Sequence, residues 1–316
     1  MKHRAIFVGI LLCHIFVFSN NAQQDDFPVL KGPYLGQKPP VDTPEIFAPS
    51  IITKAPHSVA VFSPDGLEVF WVPWSTLKME TMKQINSVWT KPHTVSFASK
   101  YDAENPMFTA DGTRMYFTST RPLEAGDLKV KEKFWHENIW YVDREQGGWS
   151  EPVPLGPEVN SMDLHWQISI DDQNNDLYFS VSSGESGGQM DIYKSVFTDG
   201  RYTTPKKLCE AINTQGDECT PFIASDGSYL IFARKPGADT FSDLYISFRN
   251  QDGSWMDAVS LGSEINSDAH EVCPVVTRDG KYFFFISMKS GKPPSKPQMY
   301  WMDAKIIEEL KPENLK

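Results

Sequence analysis

Five times along the chain an acidic turn falls between two apolar runs, and this repetition limits the fold more than any other feature. The first runs with their turns are Val59-Ala-Val-Phe-Ser-Pro-Asp65-Gly66, Pro106-Met-Phe-Thr-Ala-Asp111-Gly112, Gln167-Ile-Ser-Ile-Asp171-Asp172, Pro221-Phe-Ile-Ala-Ser-Asp226-Gly227 and Pro274-Val-Val-Thr-Arg-Asp279-Gly280. A second apolar run follows each, at 69–72, 115–119, 177–181, 229–233 and 282–287. Asp-Gly supplies the positive backbone angles of a tight hairpin turn. The second runs are almost continuously apolar, as strands covered on both faces require. A third strand carries a recurring signature in Asn138-Ile-Trp-Tyr, Asp191-Ile-Tyr-Lys, Asp243-Leu-Tyr-Ile and Gln298-Met-Tyr-Trp. A fourth reads aromatic-x-x-Pro at Trp89/Pro92, Trp149/Pro152 and Tyr202/Pro205, and Trp255 keeps the aromatic alone. Proline there suits an outer edge, where a missing donor breaks no ladder. The turns recur at 65, 111, 172, 226 and 279, which is the pitch of four-stranded propeller blades.

The two ends complete each other. After a third strand at 298–303 no aromatic-x-x-Pro segment remains, whereas Pro44-Glu-Ile-Phe-Ala-Pro-Ser-Ile-Ile resembles the fourth-strand exits Pro154-Leu-Gly-Pro-Glu-Val-Asn and Ser260-Leu-Gly-Ser-Glu-Ile-Asn. The expectation is an all-β propeller of five four-stranded antiparallel blades, with six as the alternative count. Its N-terminal strand closes the last blade and removes an open sheet edge. The propeller spans 44–306, preceded by an extended segment at 23–43 and followed by a tail at 307–316. Aromatics at 13% and 23 prolines spread along the chain fit many short strands joined by turns, and 40% apolar content excludes a disordered polymer.

Residues 1–22 read as a signal peptide: Lys2 and Arg4 precede an apolar run from Ala5 to Phe18, too short to span a bilayer comfortably, with cleavage after Ala22. Cys13 lies inside that run without a small residue before it, which argues against a lipid anchor. The expected mature chain is exported, periplasmic or secreted, and has no transmembrane segment. It is acidic, because removing Lys2 and Arg4 from 30 cations leaves 41 acids untouched, so nucleic acid is excluded as a general partner. Cys209, Cys219 and Cys273 remain; three cysteines allow one disulfide at most, and buried structural thiols are expected.

The succession Phe-Ser-Pro-Asp-Gly, Tyr-Phe-x-Ser, Asp-Ile-Tyr and Trp-x-x-Pro-x-x-Leu-Gly-x-x-Ile-Asn resembles the TolB-like, WD40-like (PD40) propeller repeats of exported bacterial proteins, over residues 44–305. Gly32-Pro-Tyr-Leu-Gly-Gln and Phe47-Ala-Pro-Ser also resemble stand-alone members. The resemblance speaks to fold. For function it implies protein docking, carbohydrate-related roles or neither, because one fold hosts many sites.

In such a blade the Asp-Gly turns share one face, and the starts of the first strands share the other with the second-to-third connections. Those connections are long and unlike, at 121–137, 182–189, 234–241 and 289–297, and function usually rides on variable loops. Counted from the turns, His57, Glu104, His165, Glu218 and Glu271 fall within one residue of register, one per blade. They are expected to ring the channel mouth as three carboxylates and two imidazoles, with Arg121, Arg234 and Lys289 supplying cations and Trp135 an aromatic platform. Such a ring could hold sugar hydroxyls or a divalent cation, or supply acid/base chemistry. The structural alternative has each acid hydrogen-bonded within the scaffold. No cofactor is expected beyond that optional cation. Gly184-Glu-Ser186-Gly-Gly188 lacks the strand-to-helix setting of a nucleophile elbow. The leading expectation is a monomeric, non-enzymatic module binding an envelope protein or glycan through its loop-rich face. The rival is a carbohydrate-active hydrolase or lyase using Glu104, Glu218 and Glu271, with His57 and His165 as ligands or bases.

Overall fold

A computed structural model describes residues 27–123, 137–162, 164–182, 189–237, 240–289 and 296–316, with the side chains of 164, 165 and 289 left out of that description. The export segment, Trp135 and Ser186 therefore lie outside the described residues. The chain is a five-bladed β-propeller. The inner, second and third strands of the blades are Pro56–Phe62, Glu68–Pro73 and Glu80–Ile85; Glu104–Phe108, Arg114–Ser119 and Asn138–Glu145; Leu164–Ile170, Leu177–Ser182 and Met190–Ser195; Asp217–Ile223, Tyr229–Lys235 and Asp243–Phe248; and Ala269–Val276, Tyr282–Lys289 and Gln298–Asp303. Short outer strands such as Val88–Trp89 and Lys206–Lys207 complete the earlier blades. In the last blade that place is taken by Glu45–Ile46, with Glu45 opposite Trp301 and Ile46 opposite Tyr300. The Phe47 N–H extends the seam by donating to the Met299 carbonyl at 2.9 Å.

The turn chemistry explains the regularity. Gly66, Gly112, Gly227 and Gly280 all sit near φ +70°, and each preceding aspartate accepts the N–H two residues on, as Asp65 does from Leu67 and Asp226 from Ser228, both at 3.0 Å. The third blade has no glycine in its turn. There Asp171 accepts from Gln173 N–H at 2.9 Å and Asn175 adopts φ +59°, which leaves Asp172 without the usual turn role. Second strands are buried on both faces, and Phe283, Phe284 and Phe285 in succession are at most 2% exposed. Each such ring contributes roughly 1.5–3 kcal/mol. Inner strands are bulged, with Asn105, Trp166, Thr220 and Cys273 at φ between +47° and +60° where the pairing register slips.

The segment before the first blade staples the ring's closure. Lys31 bridges to Val88, Gly32 O accepts from Trp89 Nε1 at 2.7 Å, and Tyr34 packs against Phe62 of the first blade and Tyr282 of the last. Gly36 sits at φ +69°, and a Cβ there would stand 2.5 Å from the Lys31 carbonyl oxygen. Gly36→Ala is therefore expected to destabilise the chain by about 1–3 kcal/mol, read by urea unfolding. An unchanged midpoint would mean the staple carries no stability. Among the described residues no helix is long and apolar enough to cross a membrane.

Candidate functional site at the channel mouth

Of the four predicted mouth residues whose side chains are described, the structure brings two into contact. His57, from the first inner strand, places Nδ1 2.7 Å from Oε2 of Glu104, from the second, and the two side chains are only 5% and 3% exposed. The atoms meet at ion-pair distance without hydrogen-bond alignment, and neither has another hydrogen-bond partner. A third group joins them. Glu137, at the end of the longest connection, is buried and accepts the Trp166 N–H of the third blade at 3.0 Å. The cluster thus ties three blades. Trp74, half exposed, lies over His57 with ring centroids 4.6 Å apart.

Burial decides the charge state here. Desolvation, reinforced by neighbouring Asp102, pushes the Glu104 carboxyl up to about 8. Desolvation and the Glu104 charge push Glu137 up to about 8 as well, against the opposing pull of His57 and the Trp166 N–H. Desolvation holds the His57 imidazole below its ordinary value, although Glu137 works the other way. At neutral pH the pair carries its proton on the carboxyl, and a neutral carboxyl can donate a hydrogen bond or a proton.

Glu218 and Glu271 take the structural alternative. Glu218 is fully buried; Oε1 accepts from Arg234 Nε at 2.8 Å and Thr214 Oγ1 at 2.6 Å, and Oε2 from Thr214 N–H at 3.0 Å. Glu271 accepts from Ser267 Oγ and Ser287 Oγ, both at 2.8 Å, and from Ser267 N–H at 3.2 Å. Both acids pin the turn that leads into their own strand. The acids are not at one position of the blade: Glu218 and Glu271 stand eight residues before Asp226 and Asp279, whereas Glu104 stands seven before Asp111, beside the bulge at Asn105. In the second blade Asp102 takes the tying role, accepting from Ser119 Oγ at 3.2 Å and Thr120 N–H at 2.9 Å.

The predicted cations differ too. Arg234 pairs with Glu218, but Arg121 donates to the Phe97 carbonyl at 2.6 Å and lies over Tyr101 and Trp140, joining no member of the acid ring. Lys289 is opposite Ala269 in the ladder, and His165 opposite Ser180; their side chains are not described. Among the described residues no group of three or more His, Cys, Asp or Glu is arranged to hold a metal ion. Sequence reasoning passed over Glu137, Asp102 and Trp74, which lie in connections without repeat counterparts. Cys209, Cys219 and Cys273 are free, the first exposed and the others buried. Burial raises both buried thiols, Cys273 to about 12. Thiol titration of a native chain beginning at residue 23 should find one fast-reacting group, at Cys209, and two more only on unfolding.

No family model and no curated protein matches the chain. Solved structures do. A TolB-assigned protein from Agrobacterium tumefaciens superposes with a TM-score of 0.50 at 14% identity, covering 78% of this chain and 76% of the other. The fold is that of a TolB-like β-propeller. TolB from Acinetobacter baumannii gives a TM-score of 0.41 at 14% identity, over 77% of this chain and 53% of that one, so this propeller spans about half its length. Hydrazine synthase from Kuenenia stuttgartiensis gives 0.43 at 13% identity, over 82% and 80%. At these identities the likeness is one of fold, and the site must be argued from the propeller's own residues.

Proposed function

We propose that this propeller is an exported binding module that engages a protein or glycan at the cell envelope through its loop-rich face. The observation that carries the reading is the full hydrogen bonding of Glu218 and Glu271 inside their own blades. It removes two of the three acids on which hydrolysis would depend and leaves no facing carboxylate pair between them. The exposed aromatics support the same face: the turn side repeats short segments such as 63–67 and 224–228, while the opposite side carries the partly exposed Trp74 and Phe241. Export rests on the basic and apolar start of the sequence.

The enzymatic reading retains one specific support, the protonated Glu104 carboxyl beside His57 with Glu137 close by. One experiment separates the two. The mature chain is immobilised and presented with envelope extract and purified polysaccharides, alongside Trp74→Ala and Glu104→Gln. A binding module retains its ligand unmodified, loses at least about ten-fold in affinity with Trp74→Ala, and keeps it with Glu104→Gln. Turnover of a polysaccharide that Glu104→Gln abolishes would replace binding with catalysis, and absence of any retained ligand would overturn both.

A further inference from the structure

We propose that the opposite, turn-bearing face holds a second binding site, a blind funnel that takes a neutral saccharide. A cavity of about 790 Å³ opens there. Its floor is apolar, built from Phe108, Ile170, Phe222 and Val275, and its wall carries the partly exposed rings of Tyr34 and Tyr282. Size and lining match those of small-ligand sites. The funnel ends within the channel, because Gln167 Nε2 spans from the third blade to the Pro274 carbonyl at 2.7 Å, and Arg278 reaches from the fifth blade to the Phe108 carbonyl at 2.6 Å.

Three features choose the ligand class. Lys31, Arg278 and Lys281 balance Asp65, Asp172 and Asp279 around the lining, so a charged ligand meets no net attraction. Arg278 is paired to Asp172, and Lys281 to Asp279 at 2.9 Å. Asp172 is engaged through its pair with Arg278 and offers no free charge to a ligand. A sugar brings hydroxyls rather than charge to this balanced rim, and the apolar face of its ring suits the tyrosine wall. An extended peptide is disfavoured, because the inner edges that it would pair with are already capped across the blades. Ser169 Oγ takes the Ile223 N–H at 2.9 Å, Ser180 Oγ the Thr220 N–H at 3.1 Å, and Thr220 Oγ1 the Cys273 N–H at 3.2 Å.

The site lies across the ring from the loop face, so its test is independent of the function proposed above. The full mature chain is titrated with glucose, galactose, N-acetylglucosamine and maltose, with glucuronate and a neutral tripeptide as contrasts, and binding is read by calorimetry and ligand-observed NMR. At least one neutral sugar is expected to bind saturably. Ser225→Trp, on the exposed rim, should weaken it at least about ten-fold. Trp74→Ala, on the other face, should leave it unchanged. The proposal fails if no neutral sugar saturates, if Ser225→Trp folds and leaves affinity intact, or if glucuronate or the tripeptide binds more tightly than every neutral sugar.

Discussion

Arg234→Met is expected to destabilise the propeller by about 3–5 kcal/mol and to lower its melting temperature by roughly 5–15 °C. Arg234 donates from Nε to Glu218 at 2.8 Å and from its second terminal nitrogen to the Ile212 carbonyl at 2.9 Å, with the guanidinium 4.6 Å from the centre of the Tyr245 ring. Methionine keeps the packing volume of the stem but removes the only cation that, among the described residues, pairs with the completely buried Glu218 carboxylate. The loss is the desolvation of Glu218 left uncompensated, more than the lost attraction itself. The double variant Arg234→Met/Glu218→Leu removes both charges and should recover most of the loss. Equal instability in the double variant would show that packing around Tyr245, not charge, decides the effect. Because Thr214 would lose its anchor as well, hydrogen exchange should open first in the turn at 213–216.

How far these features were legible in the sequence depends on whether they belong to the repeat. Blades, their order and the splice of Glu45–Ile46 onto the last sheet follow from patterns that recur, and local turn chemistry enforces them wherever Asp-Gly stands. The ties of Glu218 and Glu271 are legible in the same way, since Asn213-Thr214 and Asn266-Ser267 precede them at equal spacing. Asn213 and Asn266 each clamp a third strand, at Ile192 and Leu244, and so fix the turn that the next residue holds against the acid. What repetition hid was the one-residue offset of Glu104, which registers as approximate agreement in an alignment although the tying role in that blade belongs to Asp102. Glu137 and Trp74 were out of reach for another reason: long-range packing, not local pattern, sets where a unique connection ends.

The pH dependence of stability tests the mouth cluster directly. Glu104 and Glu137 keep their protons in the folded chain up to about 8, whereas in the unfolded chain they release them near the ordinary carboxyl value of about 4.3. Across that window the native state binds more protons, so stability falls as pH rises from about 4.5 to 8 and levels off above. His57 acts in the opposite sense. Its folded value lies below 6.5, so its contribution is intact above that pH and is lost as the medium is acidified. Glu104→Gln and Glu137→Gln keep an acceptor oxygen and remove the titration. Each should flatten the alkaline limb and leave the chain more stable at pH 9 by on the order of 2–4 kcal/mol, with little change at pH 5. Urea unfolding at pH 5, 7 and 9 reads the slope. An ionised Glu104 facing a charged His57 predicts the reverse, a loss of about 3–5 kcal/mol at pH 7 on conversion to glutamine, because the imidazolium would then be buried alone. The sign of that single change at neutral pH therefore reports where the shared proton sits, and with it whether the mouth presents a neutral donor or an ion pair to whatever approaches from the loop-rich face.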